Sequence, residues 1–337
     1  MSLPDAFKKY HAGRDESCPY RREADKDNRV KFTRRSFITL ATPFALSLPA
    51  IAQTPIVAER GRFTDEQLPL AREQLLKQVN AERAAAGLSE LKLDDLASSV
   101  ANEHARDMAA REFLSHWGSD GRKPFQRYGL AGGTAAVQEN CSAATDINSV
   151  SPARVLNDLR DMHQSMLDEV PPQDGHRKTI LDPYHTHVGF GIALNDRSLR
   201  LDELYLARYL QIDPMTTEAK PGATVRISGR LLNPSHFINE IDVYYEPLPT
   251  PPDINWLRIA RSVSFSEDVV RMRPRALPGT VYRDGTRGDF DWDHKGQFHA
   301  SIKLFRNEPG IYTIVCIVRR VPNDKGFPGA QVCILSK

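Results

Sequence analysis

Beyond Pro214 the chain never returns to a convincing helical spacing, and this change of period constrains its fold more than any other feature of its 337 residues. The segments "KPGATVRISGRLL", "INEIDVYYE", "GQFHASIKLF", "GIYTIVCIVRR" and "AQVCILS" are short runs separated by Pro, Gly, Asn and Asp. Alternation with period two gives a strand one apolar face. Val225, Ile227 and Leu231 share such a face, as do Phe298, Ala300, Ile302 and Leu304. Residues 218–337 therefore read as an all-β sandwich of immunoglobulin-like type. The Cys…Trp…Cys spacing of antibody domains is absent.

Residues 60–212 read differently, as helices alternating with short strands, so the chain as a whole is α+β with a boundary near 212–220. Thr64-Asp65-Glu66-Gln67 has the form of a capping box, in which Thr64 and Gln67 satisfy each other's orphan amides. Leu68, Leu75 and Val79 then fall on one face of a helix that Gly87 can end. A second helix is predicted over about 94–111, with Leu96, Val100 and Met108 inward. A third, over about 151–169, carries Val155, Leu159, Met162 and Met166 at spacings of three and four, and Pro171-Pro172 stops it. "THVGFGIAL" and "ELYLARYLQI" read as strands, the first bent by its glycines.

Ahead of this lies a leader. Ser36 to Ala52 is a run of 17 residues without a charge, short of the ~20 apolar residues of a bilayer span. Pro43 and Pro49 interrupt it. Arg34-Arg35 stand in front and Ala50-Ile51-Ala52 gives the small-x-small pattern of a cleavage site, so residues 1–52 read as a twin-arginine-type signal peptide. The expectation is an exported protein, periplasmic or extracellular, with no integral membrane span after processing. The leader holds 10 Lys or Arg and 6 Asp or Glu, so its removal turns the net charge of +2 into −2. Nothing in that balance points to nucleic acid. Arg271, Arg273 and Arg275 read as a solvated loop.

Cys18 leaves with the leader, and Cys141, Cys316 and Cys333 remain. In an oxidising compartment the economical expectation is one disulfide, Cys316–Cys333, across a hairpin centred near Asp324-Lys325, with Cys141 a free, buried thiol.

Three segments concentrate polar groups in apolar surroundings: "FLSHWGSDGRKPFQR", "QENCSA" and "DGHRKTILDPYHTHVGFGIA". With "QVNAERAAAGLSEL" and "ANEHARDM" they occur in the order and approximate spacing of the CAP superfamily, and residues 70–212 resemble it. That superfamily comprises the cysteine-rich secretory proteins, antigen 5 and the plant pathogenesis-related proteins. The resemblance implies an α-β-α sandwich whose central cleft gathers two histidines and two acids. Carried over by motif, these are His116 from "LSHW", His176 from "DGHRKTIL" and Glu139 from the Glu-Asn pair. Glu169, Asp168 and Asp158 compete for the second acid. Glu169 is favoured because Pro171-Pro172 end the helix beside it.

Two imidazoles converging in a cleft can hold a divalent metal such as zinc. Carboxylates beside them would bind the metal directly or fix the ring tautomers. The same groups could run metal-assisted hydrolysis, or form a polar network that only orders the fold. His185 and His187 could share a strand face but read as loop and half-buried residues. His104 and His163 read as core or boundary histidines on helices. No HExxH, GxSxG, phosphate loop or dinucleotide fingerprint occurs, which removes the commonest enzyme classes. The expected work is binding of a small hydrophobic ligand or a cell-surface polymer. A metal-assisted hydrolase, or adhesion through the sandwich, is the alternative.

Overall fold

The computed structural model describes residues 62–337 except 146, 148, 149 and 323; the leader and its cleavage site lie outside the described residues. A 3-10 turn at Asp65–Gln67 leads into α1 (Leu68–Ala85), β1 (Lys92–Leu93), α2 (Asp95–Arg111), α3 (Pro124–Leu130), β2 (Ala136–Thr145), α4 (Pro152–Leu167), α5 (Gly175–Ile180), β3 (His187–Leu194) and β4 (Ser198–Ala207). The capping box is present, with Thr64 and Gln67 satisfying each other's groups. Gly87, at φ +72°, follows the end of α1 as a left-handed cap.

These elements make three layers. The sheet has the order β1-β3-β4-β2, so β2 is an edge strand. On one face, Val188, Phe190 and Ile192 of β3 and Leu199, Leu201 and Tyr205 of β4 pack against Leu75 and Val79 of α1 and Val155, Leu159, Met162 and Met166 of α4. On the other, Leu204 and Leu206 of β4 meet Ala97, Val100 and Ala101 of α2 and Tyr128 of α3. Leu96, expected inward, is 36% exposed. Val100 and Met108 are buried as expected, and beside them the buried face of α2 carries small residues, Ala97, Ala101 and Ala105, which let the helix press against the sheet.

That close approach explains the two glycines of "THVGFGIAL". A Cβ on Gly189 would lie 2.3 Å from the Ser98 nitrogen, and one on Gly191 would lie 2.1 Å from the Ala101 carbonyl. They admit a helix backbone as well as relieving the strand. Gly191→Ala is therefore expected to cost about 3 kcal/mol, the upper end for overpacking, because the clash is with backbone that no rotamer change relieves. Chemical denaturation of the variant measures it.

The remaining strands are β5 (Leu210–Ile212), β6 (Glu218–Ala219), β7 (Thr224–Leu231), β8 (Phe237–Pro247), β9 (Val269–Met272), β10 (Asp291–Trp292), β11 (Gln297–Lys303), β12 (Gly310–Arg319) and β13 (Phe327–Ser336), with one helical turn, α6 (Ile254–Leu257). They form two sheets, β10-β11-β7-β5 and β6-β13-β12-β8-β9. One core lies between them: Val225, Ile227, Phe298 and Ile302 from the first sheet, Ile241, Val243, Ile314 and Val332 from the second. The C-terminal region is thus β-rich and two-layered, and this strand order alone does not make it immunoglobulin-like. β5 pairs with β7, so the passage from one half to the other falls between Ala207 and Leu210.

The expected Cys316–Cys333 disulfide is absent: Cys141, Cys316 and Cys333 are all free and buried. Cys333 pairs with Thr313 and Cys316 with Ala330. That register sets the two cysteines three residues apart along the ladder, and an odd offset puts side chains on opposite faces. Cys316 faces the core between the sheets. Cys333 faces the other way, onto α3, where a Cβ on Gly129 would lie 2.5 Å from its sulfur. None of the described helices is long and apolar enough to cross a membrane.

Candidate functional site

A cleft of about 540 Å³ lies where the two halves meet. Its floor and one side come from the N-terminal half, through His116, Phe125, Glu139, Gly175, Lys178 and Tyr184, among others. The other side comes from the C-terminal half, through 262–265, Phe327, Pro328 and Gln331. Aromatic pairs close the join at two points. Phe125 packs on Phe265 with ring centres 4.6 Å apart, and Tyr184 stacks on Phe327 at 3.9 Å. Polar contacts reinforce them: Lys123 pairs with Glu246, Gln126 donates to the same carboxylate at 2.9 Å, and Gln331 donates to the Phe125 carbonyl at 3.0 Å.

The four site residues form two carboxylate–histidine pairs. His116 Nδ1 lies 2.9 Å from Glu139 Oε1. His176 Nδ1 lies 2.5 Å from Glu169 Oε1, and the His176 backbone N–H donates to Glu169 Oε2 at 2.9 Å. Of the three acids considered for the second position, Glu169 is the one that bonds His176. Asp158 accepts from Arg154 and Asp168 from Gln164. In each pair the carboxylate accepts a hydrogen bond from Nδ1–H, which leaves the Nε2 lone pair free to bind an ion. The acids thus act as partners of the imidazoles.

Successive residues of the edge strand β2 hold the two pairs. Glu139 reaches His116 from one face of the sheet, while the Asn140 side chain, on the opposite face, donates to the His176 carbonyl at 3.2 Å. His116 and Glu139 line the cleft, as do Asp174, Gly175, Lys178 and Thr179 around His176. His176 and Glu169 stand behind that lining, and His176 is 8% exposed.

Arg127, on α3, was not legible as a site residue, yet it organises the first pair. Its guanidinium binds Glu139 and donates to the His116 carbonyl at 2.8 Å. Burial alone would raise the Glu139 pKa. Arg127, and then His116, overcome that and hold it down to about 2. Glu139 is therefore a carboxylate at any physiological pH.

The other histidines divide clearly. His185 is buried, donates Nδ1–H to the Thr179 carbonyl at 3.0 Å and stacks on Tyr205; burial lowers its pKa to about 4. His187 bonds Thr186 and Arg208. His163 bridges Glu203 and Glu82, both at 2.7 Å. Acids in the middle of an apolar strand, Asp202 and Glu203 in "LRLDELYL", were the available signal for such buried partners. Arg271, Arg273 and Arg275 each face an acid: Asp242, Asp284 and Asp291.

The family comparison bears on the layered N-terminal part. The cysteine-rich secretory protein (CAP) family model matches residues 76–206 of this chain. A curated relative that it resembles is the uncharacterised protein YkwD from Bacillus subtilis (strain 168). The two are 25% identical over 214 residues, 57% of this chain and 77% of the relative. Among solved structures, an SCP-domain extracellular protein from Bacillus anthracis is 21% identical with a TM-score of 0.33, covering 44% of this chain and 45% of its own. An outer surface protein from Borrelia burgdorferi is 19% identical with a TM-score of 0.33, covering 44% and 98%. This chain thus spans less than half of the Bacillus anthracis protein.

Proposed function

We propose that this is an exported binding protein. In this reading the cleft holds a divalent metal, zinc, on the Nε2 atoms of His116 and His176, and a small hydrophobic or polymeric ligand lies along the aromatic wall between the two halves. The observation that carries it is the pair of carboxylate–histidine contacts, His116–Glu139 and His176–Glu169, tied to consecutive residues of β2 by Glu139 and by the Asn140 side chain on the His176 carbonyl. A carboxylate on Nδ1 fixes the tautomer and raises the basicity of the other nitrogen, the usual support of a metal-bound imidazole. The donor set suits zinc, and a bound zinc would supply a Lewis acid with positions open to a ligand atom. The chain's own part is to hold the rings, keep Glu139 ionised through Arg127, and line the cleft with Phe125, Tyr184, Phe265 and Phe327. Residues up to Ala207 and from Leu210 onward would be the two domains that share it.

Zinc calorimetry on the chain without its leader tests this. His116→Ala and His176→Ala are each expected to weaken zinc binding by 100-fold or more, the loss of one of two imidazole ligands. Glu139→Gln should cost roughly 10–100-fold, as for other supporting carboxylates. His185→Ala should change little. Unaltered titrations in both histidine variants would leave the network an ordering device only.

A further inference from the structure

A second set of donor atoms converges on the α2 face of the central sheet. Cys141 of β2 and Asp202 of β4 are directly paired across the ladder, so their side chains leave the sheet on the same face. Glu139, two residues along β2, shares that face, and His104 of α2 packs over it. Each of the four can bring one donor atom within 4.8 Å of the others. The set is buried: His104 is 2% exposed, Asp202 0%, Cys141 7% and Glu139 9%.

Two of these groups are incompletely used. His104 Nδ1 and Asp202 Oδ2 are buried without a hydrogen-bond partner, a condition native interiors rarely leave unexplained. His104 Nε2 lies 2.8 Å from the Ser115 carbonyl. Only an N–H can pair with a carbonyl, so the proton is on Nε2 and Nδ1 keeps an unused lone pair. Metal-bound imidazoles show this arrangement. The Cys141 thiol lies 3.3 Å from Glu139 Oε1 and 3.8 Å from Asp202 Oδ1.

We infer that His104, Cys141 and Asp202, with Glu139 as fourth donor, form a closed site for a borderline-soft divalent cation of the zinc type, with a thiolate ligand that the cleft pair lacks. Zinc bonds of about 2.0–2.3 Å place tetrahedral donors roughly 3.5 Å apart, so the cluster needs only side-chain adjustments of about an ångström to close. Charge also balances. Three anionic ligands meet the two charges of the ion and the one of Arg127, which already binds Glu139. A mixed nitrogen, sulfur and oxygen set favours zinc over calcium or magnesium. Glu139 lines the cleft as well, which gives the ion a way in.

The competing account is a hydrogen-bonded core in which Asp202 and Cys141 keep their protons. Cobalt(II) titration of the metal-free full chain separates the two. Thiolate-to-cobalt charge-transfer absorption should grow to saturation, vanish in Cys141→Ser, and need at least 10-fold more cobalt in Asp202→Asn. It should persist in His116→Ala, in His176→Ala and in a Cys316→Ser/Cys333→Ser variant. Failure of the cleft reading would abolish none of it. Saturation without a sulfur band, or a band surviving Cys141→Ser, overturns the site. Should Cys141→Ser fail to fold, X-ray absorption at the zinc edge of the unsubstituted chain decides. A sulfur at about 2.3 Å is expected, and a shell of nitrogen and oxygen alone overturns the assignment.

Discussion

Arg83→Ala is expected to lower the unfolding free energy by about 3–5 kcal/mol, measured by chemical denaturation. The side chain is fully buried. Its guanidinium donates to three backbone carbonyls: Ser89 at 2.9 Å, Ile180 at 2.7 Å and Asp182 at 3.0 Å. It ties the end of α1 to the segment that follows α5, and no other described group replaces those donors. Truncation would leave three carbonyls without their cation and open a cavity, and each mechanism alone costs about 1–3 kcal/mol. Arg83→Lys should recover part of the loss, since one ammonium can reach fewer of the three acceptors. Because Thr179 and Lys178 line the cleft, zinc binding should weaken in parallel with stability.

The second large effect is a pH dependence set by His163. Burial opposes its charge, but Glu203 and then Glu82 overcome this and raise its pKa from 6.5 to about 10. The Tyr205 hydroxyl also donates to Glu203, at 2.9 Å. A folded pKa above the unfolded one means that the native state binds the proton more tightly. The stability this supplies is complete below about pH 6.5 and is lost as pH rises through about 10. At ~1.4 kcal/mol per unit, the bridge is worth a few kcal/mol at neutral pH. Denaturation between pH 6 and 10 should show wild-type stability falling. His163→Gln should be less stable at pH 6 and show a flatter fall, because the buried Glu203 and the half-buried Glu82 then lack their cation. Parallel wild-type and variant profiles would contradict the bridge.

What could be read in the sequence follows from how local each signal is. The helix faces of α1 and α4 came from spacing alone, because Leu75, Val79, Val155 and Met166 each repeat within one helix. His116, His176 and Glu139 were legible because short motifs carry them. Arg127 was not, since it acts through Glu139, 12 residues away. Leu96 misled because the part of α2 that presses on Gly189 and Gly191 carries alanines, Ala97 and Ala101, which hydropathy ranks below leucine but close packing requires. The cysteine pairing failed on parity. A hairpin's centre fixes which residues face each other, and an odd shift in register moves every side chain to the other face. No composition or spacing rule reports that shift.

The central claim is that two histidines, brought to β2 by neighbouring residues, hold one ion in the cleft. An anomalous difference map at the zinc edge, from crystals of the leader-free chain grown with zinc, tests it most directly. The account predicts a peak bonded to both His116 Nε2 and His176 Nε2, with Glu139 and Glu169 still on the Nδ1 atoms. A cleft without a peak, or a peak on His185 or His187 instead, would contradict it.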